Sequence, residues 1–145
     1  MKESMKVAKT VCLNFISTYY KKINISKLEY GIHIHCPNGG TPKDGPSAGS
    51  GITLAIISFI TNKKIRNNFA ITGEIDLDGN VIQIGGLQSK LNGAKRAGVN
   101  TVLCPKLNKP DYDNIIIKDP SLIDTTFKVI FVETIKEVVD LMLIT

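Results

Sequence analysis

The chain has 145 residues, 43% of them hydrophobic, a length that supports one single-core domain and excludes two ordinary ones. Its formal net charge of +5 comes from lysines scattered between Lys2 and Lys136, with only Arg66 and Arg96 offering a planar fork for phosphate. With no tryptophan and 6% aromatics, this describes a solvated basic surface and argues against a nucleic-acid footprint.

From Lys2 to about Tyr20, Met5, Ala8, Cys12, Phe15, Ile16 and Tyr19 recur at helical spacing, which predicts an opening amphipathic helix. A signal peptide is not expected here: Asn14 interrupts the apolar part, and Tyr19-Tyr20-Lys21-Lys22 stands where small residues would be needed for cleavage. No run is apolar for the ~20 residues that a bilayer demands, so a soluble domain without a membrane partner is expected. Gly31–Cys36 alternates and predicts a strand, with His33 and His35 on one face and Ile32, Ile34 and Cys36 on the other. Residues 37–50, dense in glycine and proline, predict a loop. Ser47–Ile60 reads as a helix with Ala48, Ile52, Ala55, Ile56 and Phe59 as its stripe and Pro46 at its start.

Phe69–Ile75 and Val81–Ile84 flank Asp78-Gly79-Asn80, a strong hairpin signal. Leu87 to about Ala97 is helical by pattern and stopped by Gly98, and Thr101–Cys104 follows as a strand, which suggests a crossover and a parallel pair. Signals weaken over Asn108–Thr126. Phe127–Val132 predicts a strand, and Glu133–Leu143 a closing helix with Ile135, Val138, Val139 and Met142 inward. Together these give an α+β or mixed α/β domain over residues 1–145, without internal repeat or linker. Cys12, Cys36 and Cys104 are odd in number, far apart and set in apolar runs, so they read as reduced thiols of an intracellular protein rather than a zinc site or a disulfide framework.

Three readings compete for the 37–50 loop. It could bind phosphate at a helix N-terminus, although it lacks the Gly-Lys-Ser/Thr ending of a P-loop. It could be a tight structural turn, the default for a Gly/Pro cluster. Or Ser47 could be a nucleophile whose neighbouring N–H groups and helix dipole face a developing oxyanion.

A serine needs a base. His33 and His35 are the only histidines; a Ser–His pair stays open, whereas a metal site lacks any third ligand at a recognisable spacing. A lysine serves only when its amine can be neutral. Lys43 lies in the loop itself, and Lys95 near the C-terminal end of its helix, where the dipole favours a cation. Lys90 lies in the first turn, where the dipole disfavours one, so position favours it; by spacing alone, any single lysine is a surface charge.

The segment TPKDGPSAGSG resembles the active-site serine motif of the ATP-dependent Lon proteases nearly letter for letter, and TGEIDLDGNVIQIGGLQSKLNGAKRAGVNTVLCP resembles their catalytic-lysine block. GIHIHCPNGG, PKLNKPD and the opening MKES extend the resemblance in order over most of the chain. It implies the proteolytic domain of a Lon protease: an α+β fold of the ribosomal-protein-S5-domain-2-like type, with mixed sheets, flanking helices and the N-terminal part of the domain absent. It implies a serine endopeptidase with a Ser–Lys dyad, in which Ser47 attacks the scissile carbonyl and Lys90, neutral in an apolar setting, takes the proton and later delivers one to the leaving amine. Backbone N–H groups around Asp44–Ser47 would form the oxyanion hole, with Asp44, Gly45 and Pro46 as supporting residues of that turn, and Thr72 would orient Lys90.

Gln83 departs from the proline usual before Ile-Gly-Gly in the family, and Gln88-Ser89 from a common Lys-Glu pair. Asp44 could pair with Lys90 and hold it charged in an inactive loop state. The resemblance further implies unfolded protein substrates, a homo-hexamer in the full-length protein, and a cytoplasmic or mitochondrial-matrix location. It implies that ATP and Mg act on an ATPase module outside this chain, which itself needs neither cofactor nor metal. The competing function is a catalytically silent binding module on the same scaffold, which would have no need of both Ser47 and Lys90. A third is a phosphate-binding or kinase-like domain using the glycine-rich loop.

Overall fold

The computed structural model describes residues 1–25, 31–36 and 45–144. Helix α1, Lys2–Tyr19, buries Ala8, Val11, Cys12, Phe15 and Ile16 against α2, Gly49–Thr61. Three short strands follow: β1 (Phe69–Ile71), β2 (Glu74–Ile75) and β3 (Val81–Ile82). Then come α3 (Leu87–Arg96), β4 (Thr101–Pro105), α4 (Lys109–Lys118), β5 (Lys128–Val132) and α5 (Ile135–Met142).

Strand β4 lies at the centre of a parallel sheet ordered β1-β4-β5, with Ala70 opposite Val102 and Leu103 opposite Ile130. All five of its residues are buried. Because successive side chains leave opposite faces of a strand, β4 feeds two cores. Leu103 joins the core of α1, α2 and α5, while Val102 and Cys104 join Leu87, Leu91, Ile115 and Phe127 beside α3 and α4. The result is a mixed α/β arrangement with helices on both faces of a small sheet. The crossover expected ahead of Thr101 is present as the parallel β1–β4 pair.

The run read as a single strand over Phe69–Ile75 is divided. Its first half joins β4; its second half, β2, forms the antiparallel hairpin with β3. The break falls at Thr72-Gly73, whose N–H groups donate to Leu103 and Ser47 carbonyls instead of to a common neighbour. In the hairpin Asp76 Oδ1 accepts from the backbone N–H groups of Asp78 and Asn80, and Gly79 takes φ 85°.

Three other expectations are corrected. Gly31–Cys36 joins no sheet among the described residues, although its burial alternates as anticipated, with Ile32, Ile34 and Cys36 inward and His33 and His35 exposed. Helix α2 buries Gly49, Ser50, Thr53, Leu54, Ile56 and Ile57, whereas Ala48 and Ala55 are exposed and Phe59 is 77% exposed. This helix is apolar nearly all round, so periodicity could not choose its face. The face that wins carries small and hydroxyl residues, which allow close approach to β2. Helix α4 was hidden in the weak stretch, because it buries only Ile115 and gives almost no periodic signal.

Burial pushes the thiols of Cys12 and Cys104 up from an ordinary 9.0 to about 12, with Asp111 adding to the shift at Cys104. Their folded values lie above the unfolded one, so the fold favours the protonated thiols. That contribution is complete below pH 9 and is lost as pH rises towards 12, because unfolded thiols ionise first. Denaturant unfolding is expected to show stability falling by roughly 1.4 kcal/mol per pH unit per thiol across that window, and more shallowly in Cys12→Ala. An unchanged slope in that variant would contradict the assignment.

Candidate functional site

Ser47 is presented by a turn ahead of α2. Gly45, at φ 84°, occupies the left-handed region that a side chain disfavours, and the Gly49 N–H donates to the Pro46 carbonyl at 3.0 Å. Gly45 and Pro46 are exposed and Ser47 is half-buried. The expected helix start at Ser47 is therefore two residues early. The Ser47 carbonyl accepts from the Gly73 N–H at 2.9 Å, so the first helical carbonyl is that of Ala48, which accepts from Ile52.

The Gly73 peptide is held from both sides. Its N–H donates to Ser47, and its carbonyl accepts from the Ser50 N–H at 3.0 Å and from Ser50 Oγ at 2.9 Å. Ser50, fully buried, thus fastens the serine turn to the end of β1 and the start of β2. Sequence reasoning missed both residues. The pairing of a small residue at 73 with the small run Ser47–Gly51 was the one available signal.

Lys90 rises from the first turn of α3, whose N-cap Gly86 has φ 67°, and its backbone N–H donates to Gly86. Its Nζ lies 3.5 Å from Ser47 Oγ. This bridge joins side chains 43 residues apart, carried by different helices' N-terminal regions. The two residues share a cavity of about 480 Å³ with Thr72 and the apolar side chains of Ala70, Ala94 and Val102. Thr72 is buried and its N–H donates to Leu103 at 3.1 Å; a side-chain hydrogen bond from Thr72 to Lys90 is not formed in this arrangement.

The remaining candidates are placed elsewhere. Lys95 Nζ donates to the carbonyls of Ser121 and Leu122 and pairs with Asp124 at 2.6 Å, which ties the C-terminal end of α3 to that segment. His33 and His35 are exposed beside a separate groove against α2. Asp44 and Lys43 lie outside the described residues, and with them the expected Asp44–Lys90 pairing and part of the expected oxyanion hole. Among the described residues no cluster of three or more His, Cys, Asp or Glu could hold a metal, and no helix is long and apolar enough to cross a membrane.

The family model for the Lon protease (S16) C-terminal proteolytic domain matches residues 1–145. The chain is 44% identical to a Lon protease of Fusobacterium nucleatum over 95% of its own length and 17% of that protein's. It is 46% identical to a Lon protease of Borrelia duttonii over 98% of its length and 17% of that protein's. A mitochondrial Lon protease homolog of Drosophila melanogaster is 40% identical over 95% of this chain and 13% of its own length. The chain thus spans less than a fifth of each of these relatives.

Proposed function

This chain belongs to the C-terminal proteolytic domain family of the Lon proteases, and on that footing we propose that it hydrolyses peptide bonds with Ser47 as nucleophile and Lys90 as general base. The observation that carries the reading is the 3.5 Å approach of Lys90 Nζ to Ser47 Oγ. Catalytic hydrogen bonds are often long before substrate arrives and tighten in the complex.

The proposed chemistry uses that geometry. Ser47 Oγ attacks the scissile carbonyl while its proton passes to an uncharged Lys90 amine. The ammonium so formed returns a proton to the departing amine, leaving an acyl group on Ser47. Lys90 then draws a proton from water as the water attacks the ester, and Ser47 regains its own. Lys90 stands over the first turn of α3, at the positive end of the helix dipole, and no carboxylate is paired with it among the described residues. The N-terminal end of α2 and the backbone N–H groups of Gly45 and Ser47 would face the developing oxyanion. Thr72, lining the same cavity, would orient Lys90 once substrate enters.

Unfolded proteins are the proposed substrates, delivered by an ATPase module outside this chain that would use ATP and Mg. A homo-hexameric ring and a location in the cytoplasm or the mitochondrial matrix complete the proposal; the Drosophila melanogaster relative is named mitochondrial. No observation favours the silent binding module. In the full-length protein, Ser47→Ala is expected to lower cleavage of an unfolded substrate by roughly 10⁴-fold or more with ATP hydrolysis retained. Near-normal cleavage by that variant would sink the assignment.

A further inference from the structure

We infer that Asn108 is a positioning residue for Lys90, acting through the backbone of Ile84; the inference rests on Lys90 being the general base. Asn108 is fully buried. Its Oδ1 accepts from the Ile84 N–H at 3.0 Å, and its Nδ2 donates to the Ile84 carbonyl at 2.8 Å and to Asp111 Oδ2 at 2.8 Å. One side chain thus meets both backbone groups of a residue that no strand pairs, as a neighbouring strand would. Only an amide supplies a donor and an acceptor together in this way.

Asn108 also precedes α4 as its N-cap residue, where an asparagine ordinarily accepts from the helix's own N–H groups. Here it makes no such bond, and its side chain is committed to Ile84 instead.

What hangs on Ile84 is the start of α3. Between Ile84 and the helix stand only Gly85 and Gly86, around which a side chain would meet nothing within 4 Å. A glycine pair in open space imposes little direction on the chain. The direction in which α3 leaves, and hence where Lys90 Nζ stands relative to Ser47, is therefore set by the burial of Leu87 and Leu91 together with the anchors at the two ends of this segment. Lys95 holds the C-terminal end through Asp124, and Asn108 holds the N-terminal end.

The test is a double-mutant cycle on peptide hydrolysis, using an activated peptide thioester so that slow variants can still be measured. Asn108→Asp keeps size but removes the donor to the Ile84 carbonyl and to Asp111 Oδ2. It is expected to lower kcat by about 10- to 100-fold with KM unchanged, the scale set by a displacement near 1 Å in a reacting pair. In a Lys90→Met background the same change is expected to cost nothing further, because the group it positions is already gone. An equal loss in both backgrounds, or no loss in either, would overturn the inference. Should Asn108→Asp fail to fold, Asp111→Ala removes the exposed outer anchor of the amide and enters the same cycle with the same two criteria. Lys90→Met alone separates the premise from the inference: wild-type kcat in that variant refutes the general base itself.

Discussion

Exchanging Lys90 for arginine is expected to lower peptide-bond hydrolysis by roughly 10²- to 10⁴-fold, the usual contribution of a positioned general base. Arginine preserves the positive charge and a comparable stem, but its guanidinium cannot be deprotonated in a protein. A role for Lys90 as a fixed cation would therefore survive the exchange, whereas a role as proton acceptor would not. Methionine makes the complementary change, keeping the apolar stem in the cavity beside Ala94 and Val102 while removing the nitrogen. Both variants are expected to fold normally, since Lys90 is half-buried and the polar contact of its side chain among the described residues is the 3.5 Å approach to Ser47. Single-turnover acylation of Ser47 by a peptide ester is the measurement. Arginine retaining more than about a tenth of the wild-type acylation rate would remove Lys90 from the base role.

Much of this site was legible before any fold was known, and the reason differs from residue to residue. A place in the first turn of a helix, a local property that a periodic pattern reveals, favours Lys90 over Lys43 and Lys95, whereas its pairing with Ser47 rests on the resemblance to the Lon proteases. The structure adds what pattern could not, namely that Lys95 is occupied by Asp124 and two carbonyls while Lys90 reaches Ser47. Ser47 was placed inside the helix because apolar spacing continues through Ala48, and what stops the helix short is a tertiary bond from Gly73. The same bond explains why one β-branched run became two strands. Asn108 and Ser50 stayed invisible because their importance lies in partners 24 and 23 residues away. A single sequence carries no record of such pairings. Helix α5 was read with the inward residues it in fact has, because there a wide polar face and a Thr134 cap leave only one arrangement.

Gly73 is where the second large effect is expected, and it lies in a residue with no chemistry of its own. A Cβ at this position would stand 2.5 Å from Val81 Cγ1 and 3.0 Å from Ser50 Oγ. Val81 is itself 2% exposed and walled in by the core of α1, α2 and α5, so it has little room to retreat. Overpacking of this kind costs about 1–3 kcal/mol, and each of the three hydrogen bonds at the Gly73 peptide that loosens adds about 1 kcal/mol. Gly73→Ala is therefore expected to lower the melting temperature by roughly 5–15 °C for a domain of this size. The cheapest relief is for the Gly73 peptide to move away from β3, and that motion carries the Ser47 carbonyl with it. Activity should consequently fall further than the unfolded fraction accounts for, as a loss in kcat at temperatures well below the transition. Gly49→Ala tests the same closeness from the other side, since its Cβ would meet the Ile75 backbone nitrogen at 3.0 Å. Gly51→Ala supplies the contrast two residues along the same helix. Its nearest neighbour would be Ile71 Cγ2 at an ordinary 3.4 Å, and alanine is the better helix former by about 1 kcal/mol. Stability is thus expected to drop for Gly49→Ala and to hold or rise for Gly51→Ala. Equal behaviour of the two would show that the approach of α2 to β2 is looser than these distances require.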